Sequence, residues 1–302
     1  MNSIRVTEEQ VKQLLPVSEC IEVLRDAFSR EFVNIPRYRL KSKNTLLHVM
    51  SASIPDLGIM GLKSYGTSKE SAGDFVVLLF NEQNGKLMGT FEADALGQIR
   101  TGAASGLATS YLSRKDATIA AVIGTGFQAE TQLVAIQNVR KLNEIRIYSR
   151  SKENRTNFVQ KMQPLVKARL IPSDTAEDAV RNADIICTIT SSKTPVVFGD
   201  WLKPGVHINA AGSNWVSKRE IDEAGVRRSD LIVVDHREQS KIEAGDLIGV
   251  VEDWNNVYEL ADVVQGKVAR TSTEQITLYK SNGIAVEDIA SALHIYKKIV
   301  QQ

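Results

Sequence analysis

The stretch that decides the fold is TIAAVIGTGFQA, residues 118–129. Its first half is a continuous apolar run, which is typical of a strand buried on both faces of a parallel sheet. Gly124, Gly126 and Ala129 then follow the pattern G-x-G-x-x-A, and residues 130–139 have a helical pattern. A strand, a glycine-rich turn and a helix in this order predict a dinucleotide-binding βαβ unit. A tight turn without a ligand is the alternative.

Each residue type in this turn has a separate function. Gly124 permits the tight turn, Gly126 lets the backbone approach a pyrophosphate, and Ala129 allows the helix to pack closely on the strand. The N-terminus of the helix offers free N–H groups and a partial positive charge to the phosphates. The predicted cofactor-binding residues of the turn are Gly124, Thr125, Gly126, Phe127, Gln128 and Ala129.

The end of the next strand indicates which dinucleotide binds. After residues 145–148 come Ser149, Arg150, Ser151 and Lys152, with no carboxylate where an NAD-binding protein needs one for the ribose hydroxyls. A guanidinium with neighbouring hydroxyls can instead hold a 2′-phosphate. We therefore favour NADP(H), with NAD(H) as the alternative. Arg150 and Lys152 are otherwise interpreted as a solvated helix start.

The rest of the chain divides into two patterns. After the dinucleotide unit, apolar strands alternate with helical segments, as in right-handed βαβ crossovers. Before residue 116, strand-like runs bounded by Gly and Asn predict an antiparallel sheet, with Asn84 and Gly85 as a hairpin turn. Predicted strands are residues 45–50, 58–63, 75–80, 86–91, 144–148, 183–188, 206–210 and 230–234, and predicted helices are residues 17–28, 93–112 and 283–300.

These patterns together predict an α/β architecture with one domain inserted into another. A Rossmann-type parallel-sheet domain occupies residues 116–284. It interrupts an α+β substrate-binding and dimerisation domain, residues 1–115, which the C-terminal helix at about 285–302 completes.

Composition excludes several classes of function. The chain has 302 residues, with 37 Lys plus Arg against 36 Asp plus Glu, so it has no basic stripe or acidic tail for nucleic acid or a membrane surface. The two cysteines, Cys20 and Cys187, are far apart in sequence, which favours a reducing, cytoplasmic location. No metal site is predicted, because no pair of histidines has ligand spacing. The four histidines are His48, His207, His236 and His294.

Three basic residues before residue 116 are candidates for the substrate side. Lys63 ends an apolar run, where burial would remove its solvent and lower its pKa. Arg37 follows Pro36, and Arg100 begins an Ala-rich segment that reads as a buried helix. Two converging arginines would clamp the carboxylate of a small amino or imino acid. Each could instead be a structural ion-pair partner.

At this point the sequence resembles the ornithine cyclodeaminase/mu-crystallin family over essentially its whole length. That family contains cyclodeaminases, an archaeal alanine dehydrogenase, ketimine reductases and pyrroline-carboxylate reductases. The segments that carry the resemblance are Pro36-Arg37, Gly61-Leu62-Lys63, Arg100-Thr101, Gly124–Ala129, His207–Gly212, Glu243–Leu247 and Lys280–Asp288.

The resemblance implies roles for particular residues. Arg37 and Arg100 match carboxylate-binding arginines, and Lys63 matches a catalytic lysine that also contacts substrate. Thr101 and the glycine-rich turn match cofactor contacts, to which we add Gly212. The segment Ser149–Lys152 resembles that of the NADPH-using mu-crystallin type, and family members are typically homodimers built through the first domain.

The chain departs from the cyclodeaminase pattern at two positions. Asn214 stands where cyclodeaminases and the alanine dehydrogenase carry an aspartate, and an amide cannot accept a proton at neutral pH. His48 stands where cyclodeaminases carry an acidic residue. His48 is either a catalytic group that titrates near neutrality or a hydrogen-bonded histidine at a strand end.

The leading hypothesis is an NAD(P)H-dependent oxidoreductase that acts on the C=N or C–N bond of a small imino or amino acid. Lys63 would polarise or protonate the reacting group while Arg37 and Arg100 hold the carboxylate. The alternatives are ornithine cyclodeaminase, against which Asn214 and Arg150 both count, and a non-catalytic, crystallin-like NADPH-binding protein.

Overall fold

A computed structural model describes residues 3–68 and 72–301, so residues 1, 2, 69–71 and 302 of the predicted first domain lie outside it. The chain forms two compact units. Unit 1 runs to Arg100 and resumes at Gly283, and unit 2 is Thr101–Asn282. The sequence places the first boundary at residue 115 because the alternation of strands and helices begins after it, whereas the division in the structure lies inside the preceding helix.

The described residues in the first third of the chain form six strands and three α-helices. They are β1 (Ile4–Val6), α1 (Glu8–Leu14), α2 (Val17–Phe28), β2 (Val33–Lys41), β3 (Thr45–Ile54), β4 (Ile59–Ser68), β5 (Ala72–Asn81), β6 (Leu87–Glu92) and α3 (Asp94–Leu112).

The remainder of the chain alternates strands and helices as far as the last helix. Its elements are β7 (Ile119–Ile123), α4 (Phe127–Val139), β8 (Glu144–Tyr148), α5 (Lys152–Met162), β9 (Arg169–Pro172), α6 (Ala176–Val180), β10 (Ile185–Thr188), β11 (His207–Ala210), α7 (Glu223–Arg227), β12 (Leu231–Val234), α8 (Arg237–Glu243), β13 (Val257–Glu259), α9 (Leu260–Val264), β14 (Thr277–Lys280) and α10 (Ala285–Val300).

Unit 1 is a six-stranded sheet covered by helices. The strand order is β1-β6-β5-β4-β3-β2, and α10 packs on β3, β4 and β5. The predicted strands, β3 to β6, are antiparallel as expected, and β2 continues this pattern, but β1 pairs parallel with β6 and makes the sheet mixed. A side chain at Gly61 of β4 would lie 2.9 Å from Ile289 of α10, so this glycine allows the helix to lie close to the sheet.

Strand β2, which the sequence analysis missed, turns Arg37 inward. A strict two-residue alternation would put Arg37 on the same face as Ile35. The register shifts between Ile35 and Tyr38, at Pro36, so that Ile35 and Tyr38 are both exposed while Arg37 is buried. Proline in a strand is typical of such irregularities, and a bulge re-aims the neighbouring side chain.

Unit 2 is an eight-stranded, fully parallel sheet in the order β13-β12-β14-β11-β10-β7-β8-β9. Apolar clusters cover both faces, because alternate residues of β7 point to opposite sides: Ala120 and Val122 join one cluster, and Ala121 and Ile123 the other. Strand β14 lies between β11 and β12. The predicted Rossmann-type sheet is confirmed, although β9, β13 and β14 were not foreseen.

No helix in the described ranges has an apolar stretch of the length and hydropathy needed to cross a bilayer.

Candidate active site

A buried cluster of charges lies inside unit 1, beneath α10. Lys63 Nζ donates to Asp288 Oδ1 at 2.9 Å, and Arg100 Nε donates to the same oxygen at 3.0 Å. Arg100 Nη1 also donates to Glu287 Oε2 at 2.7 Å. Arg37 Nη2 donates to the carbonyl oxygen of Gly283 at 2.9 Å. The structure therefore brings Lys63, Arg37 and Arg100 together, and it adds two carboxylates that the sequence analysis assigned no role.

The local sequence explains why these side chains meet. Lys63 lies between Met50 and Val77 in the sheet, and all three side chains are buried. Glu287 and Asp288 occupy the first turn of α10, where the helix dipole favours negative charge. From β2, Asn34 accepts a hydrogen bond from the backbone N–H of Ala285 at 3.1 Å, which holds the start of the helix in place.

The cluster combines positive charge with unused donors. Its three cations, Lys63, Arg37 and Arg100, and its two carboxylates together carry one net positive charge when Lys63 is protonated. Among the described residues, Nη2 of Arg100 makes no hydrogen bond, and Asp288 is the sole hydrogen-bond partner of Lys63 Nζ. Such a site can bind a small anion, and a carboxylate is the anion that suits a guanidinium best.

Burial lowers the pKa of Lys63 below its usual value, as the sequence predicts. The carboxylate of Asp288 opposes this effect, while the positive charges of Arg100 and Arg37 add to it. A lysine with a lowered pKa can release and regain a proton nearer to neutral pH, which suits a general acid or base.

His48 lies on the same sheet but does not titrate near neutrality, so that interpretation is wrong. Burial, with a smaller contribution from Arg39 and Arg37, lowers its pKa to about 4. Its Nε2 lies 2.9 Å from Thr67 Oγ1, and its ring stacks on Tyr65 with the centroids 4.4 Å apart. The imidazole is therefore a neutral, hydrogen-bonded group at pH 7.

In unit 2 the glycine-rich turn connects β7 to α4. Gly124 has φ +118°, and a Cβ there would lie 2.4 Å from the carbonyl oxygen of Ile189. Gly126 is exposed, with open space where a Cβ would be, and Ala129 is buried under the helix. The turn has the room at Gly126 and the close packing at Ala129 that a pyrophosphate-binding loop requires. Helix α4 begins at Phe127, earlier than predicted.

The other residues of the turn lie at its surface. Phe127 is exposed, and Thr125 and Gln128 are half-buried. Thr101, also predicted to contact the cofactor, is the first residue of unit 2, and its carbonyl oxygen accepts a hydrogen bond from Gln132 of α4 at 3.2 Å.

The segment after β8 presents two cations to solvent. Ser151 caps α5 by accepting the N–H of Asn154, and buried Arg155 donates to the carbonyl oxygen of Ser149 at 2.8 Å. Arg150 and Lys152 are exposed, and within the described ranges neither has a hydrogen bond or ion pair. Arg155 therefore holds the loop, and the side chain of Arg150 is available for a ligand.

The sequence analysis missed a second buried network, at the carboxyl ends of the parallel strands. Lys280 Nζ pairs with Asp246 at 2.9 Å and donates to the carbonyl oxygen of Ser213 at 2.6 Å. Glu220 accepts the backbone N–H groups of Gly212 and Thr190 at 2.7 and 2.6 Å. This network fixes the loop that contains Gly212 and half-buried Asn214. The only sequence signal for it was the resemblance of the segments around Asp246 and Lys280.

A glycine-rich turn in unit 2 and a buried lysine with two arginines in unit 1 are the features that the sequence analysis expects of a nicotinamide-dependent oxidoreductase. The comparison with known proteins is consistent with this class. The model of the ornithine cyclodeaminase/mu-crystallin family matches residues 2–302, and the chain belongs to that family.

Three relatives indicate the chemistry that the family performs. A Δ1-pyrroline-2-carboxylate reductase from Bacillus cereus is 36% identical over 75% of this chain and 71% of its own length. The same activity is named for a Thermococcus litoralis structure in complex with NADH and L-proline, at 31% identity, TM-score 0.92 and coverage of 98% and 97%. An archaeal alanine dehydrogenase dimer with bound NAD has 28% identity, TM-score 0.91 and coverage of 100% and 97%. The predicted class, an NAD(P)-dependent oxidoreductase acting on a C=N or C–N bond, is confirmed.

The two glycines of the turn give a matched test of cofactor binding. Gly126→Ala should leave the free energy of unfolding within about 0.5 kcal/mol of the wild type, because its Cβ meets open space. The added methyl group should nevertheless raise the Kd for the dinucleotide at least about tenfold by blocking the approach of the pyrophosphate. Urea unfolding and fluorescence titration with NADH and NADPH measure the two quantities.

Gly124→Ala is the contrasting variant. Its positive φ and the contact with Ile189 should cost about 1–3 kcal/mol of stability. Wild-type dinucleotide affinity in Gly126→Ala would contradict the assignment of the turn as the pyrophosphate site.

Proposed function

We propose that this protein is an NADPH-dependent reductase of small imino acids, with a cyclic imine next to a carboxylate as its substrate. The observation that carries the proposal is the buried Lys63 cluster, which combines one net positive charge, unused donors and a lysine with lowered pKa. Two of the relatives are named Δ1-pyrroline-2-carboxylate reductases, which supports this type of substrate.

The residues of unit 1 have distinct roles in the proposed reaction. Arg37 and Arg100 bind the substrate carboxylate, and the unused Nη2 of Arg100 is one donor for it. The nicotinamide cofactor, when bound, supplies the hydride that adds to the imine carbon. Lys63 donates a proton to the imine nitrogen, so that the C=N bond becomes CH–NH and the ammonium becomes a neutral amine. This route requires no activated water, and so it tolerates Asn214.

Reduction of Δ1-pyrroline-2-carboxylate with NADPH tests the proposed function. Lys63→Met should lower kcat by about 100-fold or more, since general acids contribute roughly 10²–10⁴. Lys193→Met, at an exposed lysine of unit 2, is the control and should have wild-type activity. The decrease in absorbance as NADPH is oxidised measures the reaction rate.

Two outcomes would contradict the proposal. One is an unchanged kcat in Lys63→Met. The other is conversion of ornithine to proline and ammonia without an added reductant, which would instead favour a cyclodeaminase.

We propose NADP(H) as the preferred cofactor on the strength of Arg150. This exposed guanidinium follows the second strand of the dinucleotide unit and has no intramolecular partner in the described ranges. No acidic residue stands in Ser149–Lys152 to bind the ribose hydroxyls.

Removing the Arg150 guanidinium should weaken the binding of NADPH but not that of NADH. Arg150→Gln should raise the Kd for NADPH about tenfold or more, because a charge-assisted hydrogen bond to a phosphate contributes about 1.5–3 kcal/mol. The Kd for NADH should stay within about twofold, and it serves as the internal control. Equal losses for both cofactors, or tighter binding of NADH by the wild type, would oppose the preference.

We propose that the protein is a homodimer that associates through the outer face of the unit 1 sheet. Five apolar side chains on this face are each at least 43% exposed, and Leu40 and Leu47 are paired across β2 and β3. A contiguous exposed apolar face of this kind is typical of an interaction surface. The archaeal alanine dehydrogenase relative is a dimer. The five residues are Val33, Ile35, Tyr38, Leu40 and Leu47.

Charges on this face should dissociate the dimer. The double variant Tyr38→Glu/Leu40→Glu should elute as a monomer, because association would bury two carboxylates. Leu165→Glu changes an equally exposed apolar residue of unit 2 and should remain dimeric. Light scattering after size-exclusion chromatography measures the mass, and a monomeric wild type would contradict the proposal.

We also propose a cytoplasmic location. Cys20 and Cys187 are both free and buried, which is typical of proteins in reducing compartments.

A further inference from the structure

One carboxylate oxygen of Asp288 binds two cations of the candidate active site, Lys63 and Arg100. Asp288 Oδ1 accepts from Lys63 Nζ at 2.9 Å and from Arg100 Nε at 3.0 Å. We propose that Asp288 is the positioning residue that orients Lys63 and maintains its protonated form for the reaction. This inference rests on the proposed imine reductase function, in which Lys63 is the proton donor.

The surroundings of Lys63 leave this task to Asp288. The charged groups that face the ammonium are Asp288 from α10, Arg100 from α3 and Arg37 from β2. Two of these three are cations, which disfavour a protonated lysine. Glu287, the next carboxylate, pairs with Arg100 Nη1 and not with Lys63. Among the described residues, Asp288 is thus the one carboxylate hydrogen-bonded to Lys63.

The neighbouring backbone keeps Lys63 close to Asp288. A Cβ at Gly97 of α3 would lie 2.7 Å from Lys63 Nζ, so the ammonium occupies the space that a side chain there would need. On another side, the Phe75 ring centroid lies 5.5 Å from Nζ. The absence of a side chain at position 97 therefore allows the hydrogen bond between Lys63 and Asp288.

The two oxygens of Asp288 are used unequally. Oδ2 is buried and has no hydrogen-bond partner among the described residues, while Oδ1 takes both cations. A buried carboxylate oxygen without a donor is unfavourable, and the charges of Lys63 and Arg100 offset this cost. This arrangement leaves one oxygen of Asp288 without a hydrogen bond, but it fixes the ammonium of Lys63 beside the guanidinium of Arg100.

Asp288 affects the reaction rate because the proposed reaction consumes the proton of Lys63. Lys63 loses an N–H bond when the substrate nitrogen gains one, and the neutral amine is then reprotonated from solvent. Activity therefore falls as the pH rises through the pKa of Lys63. Removing the negative charge of Asp288 should lower that pKa further, so the fall should begin at a lower pH.

The main test is the pH profile of kcat/KM in Asp288→Asn, which keeps the shape of the side chain. The basic limb of the profile should move by about one pH unit or more to lower pH. At the acidic end, where Lys63 is protonated in both proteins, kcat/KM should recover to within about threefold of wild type. A purely structural role would lower activity equally at every pH.

Two further variants isolate the contact. Glu287→Gln removes a carboxylate that pairs with Arg100 Nη1 and not with Lys63, so it should raise KM for the imino acid and leave the basic limb in place. Gly97→Ala should displace Lys63 Nζ while it leaves the bond between Asp288 and Arg100 intact. It should move the basic limb in the same direction as Asp288→Asn. Alanine favours a helix interior, so this variant tests the proposal even if Asp288→Asn does not fold.

A titration independent of catalysis separates this inference from the proposed function. In protein labelled with ¹³C at lysine Cε, the Lys63 resonance, assigned by its loss in Lys63→Met, reports protonation directly. Its pKa should fall in Asp288→Asn and Gly97→Ala but not in Glu287→Gln. If these pKa shifts occur in a protein that reduces no imine, the proposed function is refuted, but the effect of Asp288 on Lys63 stands. An unmoved Lys63 pKa and basic limb in Asp288→Asn and Gly97→Ala would overturn the role of Asp288.

Discussion

An ammonium and a guanidinium in a protein interior must each have a counter-charge nearby, and much of unit 1 follows from that requirement. The counter-charges of Lys63 and Arg100 come from the first turn of α10. That turn is also held from β2, where Asn34 accepts the N–H of Ala285 and Arg37 donates to the carbonyl oxygen of Gly283. Ion pairs and hydrogen bonds therefore hold the start of the last helix against the sheet that the helix covers. Removing one partner from such a set is expected to cost far more than the pair contributes on balance.

In unit 2 the buried groups that need stabilisation include carboxylates, which require hydrogen-bond donors and a cation nearby. Two of its buried carboxylates, Glu220 and Asp246, lie where the parallel strands end, and they bind backbone N–H groups and Lys280. Burial raises the pKa of Glu220, which its hydrogen bonds to Thr190 and the charge of Lys280 oppose. In unit 1 buried charge arranges the side chains to which we assign the substrate in the proposed function. In unit 2 it arranges the loops at the sheet edge where open α/β folds bind their ligands.

Local patterns were sufficient to predict much of this molecule. The run at residues 118–129 predicted the parallel sheet, and the unusual setting of Lys63 predicted its burial. The partner of Lys63 was out of reach, because Asp288 lies 225 residues away and acidic residues at a helix start are ordinary. Arg37 was singled out, but its inward direction depends on a register shift that alternation cannot reveal. Strand β14 was missed because its apolar run is only two residues long, Leu278 and Tyr279 between Thr277 and Lys280, and so short a run does not indicate a buried strand.

The position of α10 in the sequence has a consequence for synthesis on the ribosome. Lys63 emerges 225 residues before Asp288, a delay of roughly 10–45 s at typical elongation rates. Throughout that interval the sheet that contains Lys63 has neither its covering helix nor the counter-charge for its buried lysine. Strand β14, which lies between β11 and β12 in the unit 2 sheet, ends at Lys280, just before α10 begins at Ala285. Residues 277–300 therefore supply, within one short stretch of synthesis, both the inner strand of the unit 2 sheet and the helix that covers the sheet of unit 1.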